Sequence, residues 1–204
     1  MRKKTRSTSF LIIFSAPSGA GKTSIIQELL RRNPDIKYSI SATTRPLRGD
    51  EIDGIDYFFL TRDTFEDQKK QDGFAEWAMV HNHYYGTPAH YLKKQMDSGF
   101  CVVMDVDVEG ARQLWKRYED IVSIFIVPPS EKVLEERLRG RGTESEEHIR
   151  QRLDAARIEM KAVYEYQYVV INYDLEKSAR QVEAIIMAEK SRVCRYQFTK
   201  SCCV

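Results

Sequence analysis

Residues 10–23 of the chain read FLIIFSAPSGAGKT, from Phe10 to Thr23. The first five are a continuous apolar run rich in β-branched and aromatic residues, the pattern of a strand buried in a parallel sheet. SAPSGAG at 15–21 then reads as a loop. From Lys22 onward Ile25, Ile26, Leu29 and Leu30 fall on one helical face, until Asn33-Pro34 ends the helix. In that strand–loop–helix setting Gly19-Ala20-Gly21-Lys22-Thr23 acquires a chemical meaning. Glycines let successive backbone N–H groups point inward at phosphate oxygens, and the new helix adds its positive N-terminus. Lys22 is expected to reach the β and γ phosphates of ATP or GTP, and the Thr23 hydroxyl to ligate Mg²⁺. The expected ATP or GTP site therefore comprises Ala16, Pro17, Ser18, Gly19, Ala20, Gly21, Lys22 and Thr23. The pattern G-x-x-x-x-G-K-[ST] has glycine where this chain has Ala16, so the start of the loop is expected to be slightly altered.

Three further apolar segments continue the core: 100–106 (FCVVMDV), 121–127 (IVSIFIV) and 168–171 (YVVI). Helical patterns lie between and after them. One starts at Ser130 and runs to about Arg139. A long one repeats Ile149, Leu153, Ala156, Met160 and Val163, with Thr143 and Glu146 as its capping box. A closing helix at 176–192 turns Val182, Ile185 and Ile186 inward. Strands alternating with helices predict an α/β fold: a parallel-sheet core with helices on both faces. Residues 38–98 interrupt that rhythm. Short stretches (YSISATT, YFFL) surround a charged loop, a short helix starts at Asp63 with Glu66 as a capping-box partner, and FAEWAMV at 74–80 turns through His81-Asn82 into Tyr84-Tyr85-Gly86. A helix then begins near Pro88 and ends before Gly99. This stretch reads as an α+β lobe inserted into the domain. The expected organisation is a core of 9–37, 99–137 and 149–190, a lobe at 38–98, a lid at 138–148, and flexible tails at 1–8 and 191–204.

A chain of 204 residues with 42% hydrophobic residues suffices for one folded domain. Its 32 basic and 30 acidic residues leave a net charge of +2, which argues against a nucleic-acid partner. Cys101, Cys194, Cys202 and Cys203 form no C-x-x-C pair, and the four histidines (81, 83, 90, 148) have no zinc-ligand spacing with them. Ser201 stands where a prenylation box needs cysteine. The apolar run at 10–14 is too short for a signal core or a membrane span. A cytoplasmic protein with no membrane partner is the expectation.

Two arginines three residues apart, Arg45 and Arg48, follow Ser41 and Thr43-Thr44 in the lobe. Such a pair can clamp one phosphate with charge-assisted bonds. Charge alone permits another reading, a solvated loop in which they pair with Asp50 and Glu51. Glu76 lies on an alternating strand between Phe74 and Trp77. A lone strand glutamate is more often a solvent-facing residue, but a carboxylate there would suit guanine, whose N1–H and 2-amino group both donate, whereas adenine presents no such pair. Asp105 and Asp107 end a core strand, where P-loop enzymes place the acidic residue that meets Mg²⁺ through water.

Together the motifs SAPSGAGKT (15–23), SATTRPLRGDEIDGIDYFF (41–59), FAEWA (74–78), YYGT (84–87), DVDVEGA (105–111) and GRGTE (140–144) resemble the guanylate kinase family over about residues 9–190. The resemblance implies transfer of the γ-phosphoryl of ATP to GMP with Mg²⁺. It implies that Arg45 and Arg48 hold the GMP phosphate, helped by Ser41, Tyr57 and Tyr85, and that Glu76, Thr87 and Asp107 read the base. It further implies that Arg141 and Arg152 close on the transferring group along with Lys22 and Arg45, and that Asn172 lies near the adenine of ATP. The family usually has glutamine at the position of Glu109, to which no role is assigned. Two rivals remain: a guanylate-kinase-like interaction module without catalysis, against which the intact Lys22-Thr23 speaks, and another P-loop enzyme with a different acceptor or none. Acceptance of dGMP and the oligomeric state are not legible in the sequence.

Overall fold

The computed structural model describes residues 9–80, 82–140 and 145–195. Among them β1 (Leu11–Ser15), β2 (Ile36–Tyr38), β7 (Cys101–Asp105), β8 (Ile121–Val127) and β9 (Tyr168–Ile171) form a five-stranded, wholly parallel sheet in the order β2-β7-β1-β8-β9. β1 is central, all five of its residues buried. Its alternation divides the core. Phe10, Ile12 and Phe14 join Ile25, Leu29, Val182 and Ile186 on one face, under α1 (Lys22–Arg32) and α7 (Leu175–Lys190). Leu11 and Ile13 join Leu92, Ala111 and Leu114 on the other, under α3 (Ala89–Asp97) and α4 (Val108–Arg117). Burial on both faces is why these strands read as unbroken apolar runs.

The lobe is a second sheet, made of β3 (Ala42–Thr43), β4 (Phe58–Phe59), β5 (Phe74–Val80) and β6 (His83–Pro88) in the order β4-β3-β6-β5. The helix α2 (Arg62–Lys70) covers it with Phe65, whose ring stacks on Phe74 at 4.1 Å and on Tyr84 at 5.0 Å. α3 packs against both sheets, its Tyr91 ring meeting Phe58 of the lobe at 5.5 Å. Pro88 caps α3, and α3 sends Leu92 into the core rather than into the lobe. The other end of the stretch divides too: β2 pairs with β7 of the core, and only β3 onward belongs to the lobe.

The helix starts differ in their caps. Thr61, not Asp63, caps α2, its hydroxyl accepting the Thr64 N–H. Ser130 caps α5 (Glu131–Arg139) as its sequence suggested. Ser145 caps α6 (Glu146–Glu159) by accepting the His148 N–H at 3.3 Å. Thr143, proposed as that cap, lies outside the described residues, as do His81 and Arg141. Past Glu159 the helix tightens into a 3₁₀ turn at Met160–Glu165, so Met160 and Val163 leave the α-helical repeat. The packed chain also continues past residue 190. Arg195 is 3% exposed, pairs with Asp120 and Glu189, and lies over the Phe10 ring at 4.1 Å. The described chain is thus packed against the core as far as Arg195, beyond the boundary at 190 that the sequence pattern implied.

Candidate active site

The carboxyl ends of β1 and β7 are side by side, Phe14 opposite Asp105. The segments leaving the two strands are therefore brought together, as in other open parallel sheets. After β1 the loop 16–21 turns into α1. Gly19 and Gly21 hold φ of +91° and +92°, the left-handed region that side chains rarely adopt. Ala16 is not among the positive-φ residues, and its methyl packs against the core. The glycine of the usual pattern is thus not required by the backbone there.

The loop is tied from behind. The Asn172 side-chain amide donates to the Ala20 carbonyl at 2.8 Å, and its oxygen accepts the Ser178 hydroxyl at 3.1 Å. Arg137 donates to the Ala20 carbonyl at 3.2 Å and to the Asn172 carbonyl at 2.8 Å. Asn172 is 6% exposed, so its amide is committed to the loop. From α6, Arg152 donates to the Ser18 hydroxyl at 3.3 Å. The loop bounds a cleft of about 410 Å³ lined by Lys22, Thr23, Asp105, Asp107 and Glu159 among others. Lys22 forms an ion pair with Asp105 across it, and also donates to the Val106 carbonyl at 3.4 Å. Burial pushes the Glu159 carboxyl upward, with the Lys22 ammonium opposing. Among the described residues no group of three or more histidine, cysteine or acidic side chains forms a metal cage.

A second cleft, of about 280 Å³, opens between lobe and core, and its walls include Ser41, Tyr57, Glu76, Tyr85, Asp105 and Asp107. Glu76 is 9% exposed, and burial raises its carboxyl above the usual range. The Thr87 hydroxyl donates to it at 2.6 Å, and Ser41 stands 3.5 Å from Thr87. Asp107 caps α4 by accepting the Gly110 N–H at 2.7 Å. The Tyr57 and Tyr85 rings meet edge-on at 6.0 Å. Arg45 lies 5.0 Å from the Tyr57 ring but grips Glu51. Arg48 is exposed, and its backbone N–H donates to the same Glu51 carboxylate at 2.9 Å. Glu109 points outward to an ion pair with Arg112.

Three contributors escaped the sequence reading. Arg137 sat unassigned in a basic cluster. Glu159 had no motif around it. Gln113 accepts the Trp77 N–H at 3.1 Å and donates to the Trp77 carbonyl at 2.9 Å, acting as a strand partner for the edge of β5. Only the packing of α4 on the lobe brings that amide to the strand.

A phosphate loop, an acidic strand end and a separate polar cleft beside them define a P-loop protein of the nucleoside monophosphate kinase type. A family model described as guanylate kinase matches residues 8–189. The guanylate kinase of Caldanaerobacter subterraneus subsp. tengcongensis is 45% identical, over 91% of this chain and 90% of its own. That of Rickettsia prowazekii is 42% identical, over 95% of this chain and 98% of its own. A crystal structure of guanylate kinase from Anaplasma phagocytophilum superposes with a TM-score of 0.74 at 31% identity, covering 93% of this chain and 90% of that one. The chain belongs to the guanylate kinase family.

Proposed function

We propose that this chain transfers the γ-phosphoryl of ATP to GMP, giving ADP and GDP. The observation that carries the reading is the meeting of the two clefts: Asp105 and Asp107 line both the phosphate-loop cleft and the lobe cleft. A donor phosphate in one and an acceptor phosphate in the other would face each other across the end of β7. Phosphoryl transfer asks for positioning and charge neutralisation more than for covalent chemistry. Lys22 and the loop N–H groups supply these on the donor side, Arg45 on the acceptor side, and Arg152 from the lid helix. Arg141 takes the lid role by resemblance and lies outside the described residues. The base selectivity rests on Glu76, whose buried carboxylate accepts from N1–H and the 2-amino group of guanine, with Thr87 and Asp107 beside it. Tyr57, Tyr85 and Ser41 complete the acceptor wall, and Arg48 joins by swinging its exposed side chain inward. Asn172 acts here as a support of the ATP loop.

Thr23, Asp105 and Asp107 share the donor cleft. A hydroxyl and two carboxylates are hard oxygen donors of the kind Mg²⁺ takes when it keeps waters and borrows its other ligands from phosphates. Bound there, Mg²⁺ would neutralise charge on the phosphates. Among the described residues no helix is long and apolar enough to cross a membrane, and a cytoplasmic site of action is part of the proposal.

The test is ADP formation with Mg-ATP and each of GMP, dGMP, AMP, UMP and CMP. GMP should exceed AMP in kcat/KM by about a hundredfold or more, the discrimination expected when a buried polar group loses its partner. Equal turnover with AMP, or hydrolysis of ATP without any acceptor, would remove the assignment.

A further inference from the structure

The Arg45 side chain is 6% exposed, and such a buried cation needs an anion. Glu51 supplies it with both oxygens. Oε2 accepts from Nη1 at 2.7 Å and Oε1 from Nη2 at 2.5 Å. Nη1 gives its other hydrogen to the Pro46 carbonyl at 2.9 Å. The Arg48 backbone N–H also donates to Glu51 Oε2, at 2.9 Å, while the Arg48 carbonyl accepts the Glu51 N–H at 3.2 Å. That closed ring fixes the Arg48 backbone, with Gly49 at φ +53° making the turn. The guanidinium fork has five N–H donors. Two on Nη1 and one on Nη2 are engaged within this loop, which leaves Nε–H and the second Nη2 hydrogen. That edge has the geometry to meet two oxygens of one phosphate. The Tyr57 ring, 5.0 Å from the same guanidinium, and the Tyr85 ring packed edge-on against it wall the acceptor cleft.

We infer that Glu51 is the positioning residue of the acceptor-phosphate clamp, one carboxylate that orients the Arg45 guanidinium and anchors the Arg48 backbone beside it. It touches no reacting atom. It keeps the long Arg45 side chain in one rotamer, so that ordering it is not charged against acceptor binding. The two bonds from Arg45 hold the Glu51 carboxyl down at about 2, so the anion persists throughout the physiological range. The inference rests on the reading of Arg45 as the acceptor-phosphate ligand.

Steady-state kinetics of Glu51→Ala, Glu51→Gln, Arg45→Ala and the Arg45→Ala/Glu51→Ala double variant test it, each with a thermal melt. Glu51→Ala should raise KM for GMP about tenfold or more while KM for ATP stays within about twofold, and the double variant should be no worse than Arg45→Ala. Glu51→Gln keeps the shape and one acceptor oxygen, and should give an intermediate KM. If Glu51→Ala fails to fold, Glu51→Gln decides alone. A KM for GMP at or below the wild-type value in the Glu51 variants, with Arg45→Ala raising it, overturns the role of Glu51 and leaves the clamp intact. An Arg45→Ala variant with unchanged KM for GMP overturns the clamp assignment and the role of Glu51 together.

Discussion

At the scale of single residues, the site consists of groups held in costly states. Glu76 is a carboxylate buried to 9% exposure with one hydroxyl donor, and its pKa is raised by that burial. Between the usual glutamate pKa, about 4.3, and the raised folded value, the folded protein binds the proton that the unfolded chain has released. Stability from this group therefore falls as pH rises through that window. Glu76→Gln should remove the fall, so the difference in Tm between the variant and wild type should grow with pH across it, and at pH 7 GMP selectivity should erode. A parallel pair of Tm–pH curves would sink the assignment. Gly21 is costly in another way. Its φ is +92°, and a Cβ there would run into the Asn172 amide that holds the loop. Gly21→Ala should lose about 1–3 kcal/mol in urea unfolding and raise KM for ATP. Lys22 sits in an ion pair with Asp105 facing the donor cleft. Lys22→Met should lower kcat by about 10²–10³, the usual effect of deleting one preorganised charge at a transition state.

At the scale of elements, the lobe is attached to the core through α4. Its N-terminus places Asp107 as a cap, and its Gly110 leaves room for the Glu76 carboxylate, which lies 3.3 Å from where a Cβ would stand. One turn further, Gln113 satisfies both polar groups of Trp77 on the exposed edge of β5. Glu76 is the neighbouring residue, so Gln113 fixes the strand that presents the proposed base reader. Gln113→Ala leaves an N–H and a carbonyl without that partner and should cost about 1–3 kcal/mol of stability. It should also raise KM for GMP without moving KM for ATP, which kinetics would check. The elements themselves were largely legible. β1, β7 and β8 are doubly buried runs, and α1 has its apolar stripe. The caps of α2 and α6 were misplaced by two residues because several Ser, Thr and Asp residues compete at each helix start, and only the backbone geometry chooses among them.

At the scale of the whole molecule, the chain beyond α7 returns to the core. Arg195 bridges Asp120, in the turn before β8, to the buried Glu189 of α7, and covers the Phe10 ring at the start of β1. Removing it would leave Glu189, 4% exposed, without its main cation. Arg195→Ala should therefore destabilise by about 3 kcal/mol in denaturant unfolding, while KM values change little. Truncation before residue 195 should reproduce the loss. α6 is tied to the phosphate loop by the Arg152–Ser18 contact, which joins residues 134 positions apart in the chain.

By itself the sequence determined the parallel α/β core, the phosphate loop and the family. Those depend on local patterns: apolar runs, a glycine-rich turn before a helix, and ordered short motifs. It also carried the candidates for the base reader and the arginine clamp as residue types. Tertiary structure alone decided how they meet. Arg45 pairs with Glu51, the pairing that charge alone had allowed, but in a buried setting rather than a solvated loop. Asn172 turned out to support the loop, Gln113 to complete a strand edge, and Asp105 and Asp107 to border two clefts. Such contacts join residues far apart in the chain, and no local pattern encodes which distant partner satisfies a buried polar group.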